Sequence, residues 1–300
     1  MILLITHIDL DGIACAVLGK IAFGNNVKVV YANYNNINII VNELIDSGEH
    51  KEYSQIYITD ISVDKETAEK INKTVDVEIV YLLDHHETAT HLNDYSWAFV
   101  KTELLGKKTC GAEMLYTSLI THGSTLNPTK VLNDFVETVR SYDTWDWKRD
   151  ENQKAKDLND VLTLIGRDKF VDTYSTLLEL DSENETFEIM QFHIEMLKYK
   201  RIEIDRYISS KLLQVKTFPD RENNIVAFVL ADSNISELGS KICEATACDY
   251  CCILYGNKMS LRSVGDFDVS EIARRNNGGG HKNASGMDID KYYIRKYFEL

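Results

Sequence analysis

The chain has 300 residues and a formal net charge of −14, with 33 Lys and Arg set against 47 Asp and Glu. Hydrophobic residues make up 44% and charged residues 27%, ordinary globular values that exclude a disordered chain, and two prolines with fifteen glycines exclude collagen-like or linker-rich architectures. The acidic balance argues against a groove that tracks long duplex nucleic acid, because such affinity comes from phosphate contacts in a basic field; short phosphorylated molecules remain compatible where bound cations invert the local charge. No apolar run is long enough to span a bilayer, so no membrane is expected. The N-terminus lacks the basic stretch of a signal peptide, and six cysteines read as reduced thiols in a cytoplasmic protein.

The length predicts two domains. Residues 2 to 6 read as a buried strand, after which Asp11-Gly12 opens a small-residue helix carried by Ile13, Ala14, Ala16, Val17 and Ile21. Strands are expected over 27–34, 56–60 and 77–83, with helices over 37–45 and 64–73 between them. Strands alternating with helices of this length imply βαβ units and a parallel sheet. Helical patterns follow over 111–120 and 128–141, the second started by Asn127-Pro128 as N-cap and first-turn proline. Residues 185 to 213 read as one long helix, either an amphipathic core helix or an arm between domains. A new α/β pattern then begins, with a strand over 224–231, a helix over 236–245 and a hairpin of 250–255 and 258–264 turning at Gly256-Asn257. The expected fold class is α/β: a parallel-sheet domain over 1–184, a connecting helix over 185–213 and a smaller α/β domain over 214–300.

Carboxylates and histidines gather just after strands. His7, Asp9 and Asp11 alternate in Thr6-His7-Ile8-Asp9-Leu10-Asp11-Gly12, so an extended backbone would aim all three to one side. Asp60 ends the third strand, Asp84-His85-His86 ends the fourth, and Asp143 ends the helix that begins near Pro128. Ligands of open parallel sheets bind outside the carboxyl ends of the strands. Converging carboxylates repel one another and lose solvation, and a divalent cation between them resolves both problems. Mixed imidazole and carboxylate donors suit Mn²⁺, Fe²⁺, Co²⁺ or Zn²⁺ better than Ca²⁺. His7, Asp9, Asp11, Asp60, His85 and Asp143 are too many for one ion, so two metals roughly 3.5–4 Å apart are the natural reading. Taken singly, Asp60 is a capping residue and Asp11-Gly12 a common turn pair. The Asp84-His85-His86 triplet has little structural use.

A glycine-rich stretch near the C-terminus, Gly278-Gly279-Gly280-His281-Lys282, reads either as a flexible turn or as backbone that approaches an anionic ligand. Arg262 lies on an expected strand just before it. Cys243, Cys248, Cys251 and Cys252 include a spacing that can bind zinc, but Cys251 and Cys252 sit in a strand pattern where cysteine acts as a small hydrophobe.

The His7-x-Asp9-x-Asp11-Gly12 start, Asp60, the Asp84-His85-His86 triplet and Asp143 together resemble the four motifs of the DHH phosphoesterase superfamily. The Gly278-Gly279-Gly280-His281-x-x-Ala284-x-Gly286 stretch resembles the signature of its associated C-terminal domain. Thr144-Trp145 after Asp143, with the chain's length, is most similar to a branch that degrades very short oligoribonucleotides. Two departures, Ala14-Cys15 after the first motif and Ser285 in the C-terminal signature, touch no expected ligand.

The resemblance implies one metal held by His7, Asp9 and Asp60 and a second held by Asp11, Asp60, His85 and Asp143, both most simply Mn²⁺. It implies that His86 faces the scissile phosphate and that Asp84 orients the histidines. It further implies that Arg262, His281 and the backbone of Gly278, Gly279 and Gly280 hold the rest of a nucleotide. The activity implied is hydrolysis of short RNA oligonucleotides, and of linear dinucleotides such as pGpG, to mononucleotides by a hydroxide bridging two metals. Substrate held between two domains would act as a length ruler. Alternatives carried forward are a pyrophosphatase or exopolyphosphatase, a RecJ-like single-strand exonuclease, and a nucleotide sensor on a degenerate scaffold. The oligomeric state is left open, with a homodimer as one form.

Overall fold

Four consecutive apolar strands, each followed by a turn and a helix or a short 3₁₀ segment, build the first half of the protein. The computed structural model describes residues 1–121, 126–180 and 183–289. It divides into two units, Met1–Leu197 and Lys198–Leu300. The first contains β1 (Ile2–Thr6), α1 (Leu10–Phe23), β2 (Val27–Tyr31), α2 (Ile37–Asp46), β3 (Gln55–Thr59), α3 (Lys65–Thr74), β4 (Val80–Asp84) and β5 (Ala98–Val100). A two-stranded hairpin of β6 (Glu103–Leu104) and β7 (Lys107–Lys108) follows. Helices α4 (Gly111–Thr121), α5 (Lys130–Asp143), α6 (Asp146–Arg149), α7 (Gln153–Ile165) and α8 (Arg167–Leu180) come next. Among the described residues, no helix is long and apolar enough to cross a membrane.

The strands pair in parallel in the order β2-β1-β3-β4-β5. Alternation along each strand splits the core in two. Ile2, Leu4, Tyr57 and Leu83 face one layer, with α1, α4, α5, α7 and α8; Leu3, Ile5, Ile56, Ile58 and Leu82 face the other, with α2 and α3. With this order the chain reverses direction of winding between β1 and β3, and a crevice opens beyond the carboxyl ends of such neighbours. Those ends carry His7, Asp60 and Asp84-His85-His86.

Several local expectations change. The second strand stops at Tyr31, which leaves Ala32 to Asn36 as a loop. Helix α5 starts two residues later than the proline signal suggests. Thr129 is its N-cap, its hydroxyl accepting the Leu132 N–H, and Pro128 lies outside. The helix also runs on to Asp143. Strand β5 and helices α6, α7 and α8 have no counterpart in the sequence reading.

Helix α9 (Gln191–Leu212) begins later than residue 185, and the division between the units falls within it. Phe187 therefore precedes the helix, packed into the first core, which also takes Leu197, while Ile208 joins the core of the second unit. That unit holds β8 (Lys216–Pro219), β9 (Ile225–Leu230), α10 (Ile235–Ala245), β10 (Tyr250–Tyr255), β11 (Lys258–Ser263), α11 (Val269–Arg275), β12 (Gly279–His281) and β13 (Ala284–Asp288). The sheet order is β12-β13-β11-β10-β9-β8, and only β9 and β10 run parallel. The glycine-rich stretch is thus an edge strand, not a flexible turn. Cys251 packs with Cys243 and Cys248 on one face of this sheet, while Cys252 packs on the other, so the four thiols do not converge.

Candidate metal centre

The turn from β1 into α1 sets the first group of donors. Asp9 is the N-cap of α1, its carboxylate accepting the Gly12 N–H at 3.2 Å. The turn is so tight that a Cβ on Gly12 would lie 2.3 Å from the His7 carbonyl oxygen. This corrects the extended-backbone argument for His7, Asp9 and Asp11. Asp11 is already helical, so it points away from the other two. His7 Nδ1 lies 2.8 Å from Asp9 Oδ2 and 3.6 Å from Asp60 Oδ2. Asp11 instead joins His85 and Asp143: His85 Nε2 stands 3.7 Å from Asp11, 3.2 Å from Asp60 and 3.6 Å from Asp143.

Asp60 sits between the two groups in a left-handed conformation, φ 58°, uncommon for a residue with a side chain. Its backbone N–H donates to the Leu83 carbonyl of the neighbouring strand. Its Oδ2 is buried and accepts no hydrogen bond among the described residues. Asp60 and Asp11 are both almost wholly buried. Burial, joined for Asp11 by the charges of Asp60 and Asp143, holds both carboxyls well above the usual range, and burial also raises Asp143. Burial opposes a charge on His7, yet Asp60 and Asp9 outweigh it and raise the imidazole to about 10. Asp9, whose side chain is half exposed, is held down to about 2 by His7, which outweighs its partial loss of solvation. Without a metal, a protonated histidine supplies the cation that these carboxylates require.

Three groups of potential donors have atoms within 4.8 Å of one another among the described residues: His7, Asp9 and Asp60; Asp11, His85 and Asp143; and Asp60, Asp84, His85 and His86. Buried, repelling carboxylates with imidazoles beside them and one orphaned carboxylate oxygen fit a pair of divalent cations.

Asp84 is occupied differently. Its Oδ1 accepts the backbone N–H of His85 at 2.7 Å and the ring Nδ1–H of His86 at 2.7 Å, and its Oδ2 accepts the Ser62 hydroxyl. Burial pushes against its charge, but the His86 hydrogen bond lowers its pKa below the ordinary value. It organises the turn that carries both histidines.

Three contributors escaped the sequence reading. The N-terminus of α4 donates the Gly111 and Ala112 N–H groups to Asp11, at 2.5 and 2.8 Å, from 100 residues away. A side chain at Gly111 would place its Cβ 2.5 Å from the Asp60 Cβ. Tyr34, in the loop after β2, lies against His7 with ring centres 5.1 Å apart and planes tilted by 53°, and its hydroxyl lies 3.1 Å from His86 Nε2. Burial and then the surrounding carboxylates raise that hydroxyl to about 12, so it stays protonated. A signal existed for Tyr34: like the other site residues, it follows the carboxyl end of a parallel strand.

The C-terminal candidates form a separate set. Arg262, Ala284 and His281 stand opposite one another across β11, β13 and β12, so they project from one face of the sheet. Arg262 donates to the hydroxyls of Ser260, at 2.8 Å, and Ser236, at 3.2 Å. His281 and Gly279 are exposed. Gly278 and Gly280 are needed by the strand itself: a Cβ at either would run into β13, 2.2 Å from the Gly286 oxygen and 2.5 Å from the Ser285 Cα.

No family model matches the chain. It is 38% identical over 299 residues to the oligoribonuclease NrnB of Bacillus subtilis, an alignment that covers 97% of this chain and 73% of that protein. It is 24% identical over 339 residues to a 3′,5′-cyclic-nucleotide phosphodiesterase of Helicobacter pylori, covering 96% of this chain and 92% of that one. The structure of exonuclease RecJ bound to manganese shares the fold, with a TM-score of 0.58 at 17% identity over 99% of this chain and 88% of that one. With a relative this similar over nearly the whole length, and the Asp84-His85-His86 triplet at the end of β4, the chain belongs to the DHH phosphoesterase family.

Proposed function

We propose that this protein is a Mn²⁺-dependent phosphodiesterase that hydrolyses short oligoribonucleotides, linear dinucleotides included, to mononucleotides. The observation that carries the reading is the pair of donor groups meeting at Asp60, beyond the carboxyl ends of β1, β3 and β4. The kinship with an oligoribonuclease over 97% of the chain supports the substrate class. The net charge of −14 agrees with substrates too short to need a basic groove.

His7, Asp9 and Asp60 would hold one ion, and Asp11, Asp60, His85 and Asp143 the other. Two such cations supply Lewis acidity and lower the pKa of a water nucleophile. The remaining chemistry belongs to the chain. The ionised Asp84 keeps the proton of His86 on Nδ1, and Nε2 then accepts from the Tyr34 hydroxyl. His86, only partly buried, is thereby fixed in orientation, and its Nε2 would take a phosphoryl oxygen in place of Tyr34 as a donor, with the ring doubly protonated. The α4 N–H groups keep Asp11 in place, sparing it any rearrangement during turnover. In the second unit, Arg262, His281 and the backbone around Gly279 would bind a nucleotide phosphate or base.

The test is a parallel incubation, with Mn²⁺, of an RNA dinucleotide, a long RNA strand, 3′,5′-cyclic AMP and pyrophosphate. Fast cleavage of the dinucleotide with slow attack on the long strand is expected. Phosphate release from pyrophosphate alone would replace this reading with an anhydride hydrolase. Hydrolysis of the cyclic nucleotide alone would favour the activity named for the Helicobacter pylori relative. Chelation by EDTA should abolish turnover and Mn²⁺ should restore it.

A further inference from the structure

Asp143 is the last residue of α5, and the chain reverses immediately after it. Trp145 makes the reversal in a left-handed conformation, φ 65° and ψ 8°. A bulky aromatic there costs on the order of 1–3 kcal/mol, and glycine or asparagine would serve the turn better. The turn is nonetheless held firmly. The buried Arg140 guanidinium donates to Glu137 at 2.6 and 2.8 Å, to Asp146 at 2.9 Å and to the Lys108 carbonyl at 3.0 Å. The Thr144 hydroxyl donates to the Arg140 carbonyl at 2.8 Å.

What this braced turn displays is a row of aromatic rings. Tyr142 stacks on Trp147 with centres 6.1 Å apart and planes 17° from parallel. Trp147 and Trp145 stand 6.4 Å apart at 30°. The Lys148 ammonium lies 4.3 Å from the centre of Trp145 and 5.6 Å from that of Trp147. Trp145 is 62% exposed, so its ring contributes little to the core. The row therefore starts beside a residue of the metal centre and ends in solvent, within about 7 Å of backbone from Asp143 to Trp145. That reach is comparable to the span of one nucleotide.

We propose that Trp145, with Trp147 and Lys148, is a stacking platform for the nucleobase next to the scissile phosphate. The proposal rests on the phosphodiesterase reading above and adds the determinant by which the catalytic unit itself grips substrate. Stacking uses the π-face that every base has, so the platform is tolerant of sequence, and Lys148 adds positive charge for the adjoining phosphate. The strain at Trp145 is explained by the ring's use, since an exposed tryptophan gives the turn nothing that a smaller residue would not.

The experiment compares wild type, Trp145→Ala and Trp145→Phe as Mn²⁺-loaded full-length proteins on a diadenylate, with Tyr199→Ala as an exposed-aromatic control outside the site. Trp145→Ala should raise KM about tenfold while kcat falls less, and Trp145→Phe should recover most of the loss. A dinucleotide lacking the stacked base should be cleaved equally by wild type and Trp145→Ala. A KM for Trp145→Ala within about twofold of wild type overturns the platform while leaving the activity standing. If wild type cleaves no dinucleotide, the activity fails, and tryptophan emission decides the platform separately. Trp97 is buried, so AMP, but not ribose 5-phosphate, should quench wild type, and in Trp145→Ala, where Trp147 is the platform tryptophan that remains, AMP should quench much less. Absence of AMP quenching in wild type then overturns it.

Discussion

The two sheets handle polar residues in opposite ways. At the carboxyl ends of β1, β3 and β4, Asp11, Asp60 and Asp84 are withdrawn from solvent and His7 nearly so. On the C-terminal sheet, Arg262 is half-buried and His281 is exposed, and neither repels a neighbour. Buried like charges cost free energy unless something of opposite sign joins them, whereas exposed donors cost little while they wait. The first arrangement fits a cation among its carboxylates, whereas the second carries its polar groups without one. Glycine follows the same division. Gly111 makes room for Asp60 in the candidate metal centre, while Gly278 and Gly280 make room for β13.

The largest effects should come from the buried side. Asp60→Ala or His85→Ala should lower turnover at least about a hundredfold to a thousandfold, with the melting temperature little reduced and fewer than two bound ions by elemental analysis. Near-normal activity in either variant would break the assignment of these residues to the metals. The glycine contrast sharpens the point. Gly111→Ala should cut metal affinity and activity together, about 10–100-fold, because its Cβ meets Asp60. Gly278→Ala should instead destabilise the second unit by about 1–3 kcal/mol and leave metal affinity unchanged. Metal titration of both variants, with thermal melts, would show whether the two roles separate.

The pH response follows from the buried groups. His7, raised to about 10, carries a proton near neutrality, and Asp11 and Asp60 are shifted upward as well. A cation that takes the His7 nitrogen must displace its proton, so affinity should rise with pH, by about tenfold per unit for that proton. Calorimetry in two buffers of different ionisation enthalpy, between about pH 6 and about pH 8, reads the proton count directly. An affinity independent of pH would mean that no proton is displaced from the imidazole of His7. The smallest effect is expected on the exposed side: Arg262→Ala should raise KM for a dinucleotide about tenfold and leave metal content alone. A change in metal stoichiometry would erase the contrast between the two sheets.

Much of the candidate metal centre was legible because its residues obey a local rule. A carboxylate or histidine directly after an apolar strand is placed at the ligand-binding end of a parallel sheet by the strand alone. His7, Asp60 and the Asp84-His85-His86 triplet are found that way. Tyr34 falls outside that rule, being neither carboxylate nor histidine and standing three residues past the end of β2, and the expected strand to residue 34 covered the loop that carries it. The extended-backbone argument for Asp11 failed because Asp9 caps a helix there, and a helix turns Asp11 toward His85 and Asp143. Of the two readings of the glycine-rich stretch, the flexible turn gives way to an edge strand, because glycine signals conformational freedom locally whereas here it is required by a partner strand.

The sequence alone determined which side chains stand at strand ends, their acidic and imidazole chemistry, and the two α/β patterns, since these depend only on residue identity and local periodicity. Strand order, which sets Asp60 between the donors of β1 and β4, was decided by packing in three dimensions. So were the hydrogen bonds from Gly111 and Ala112 to Asp11, the seat of Tyr34 against His7, and the row of rings beyond Asp143. Each of these joins residues through space, where the burial of the two core layers, and no spacing along the chain, sets what touches what.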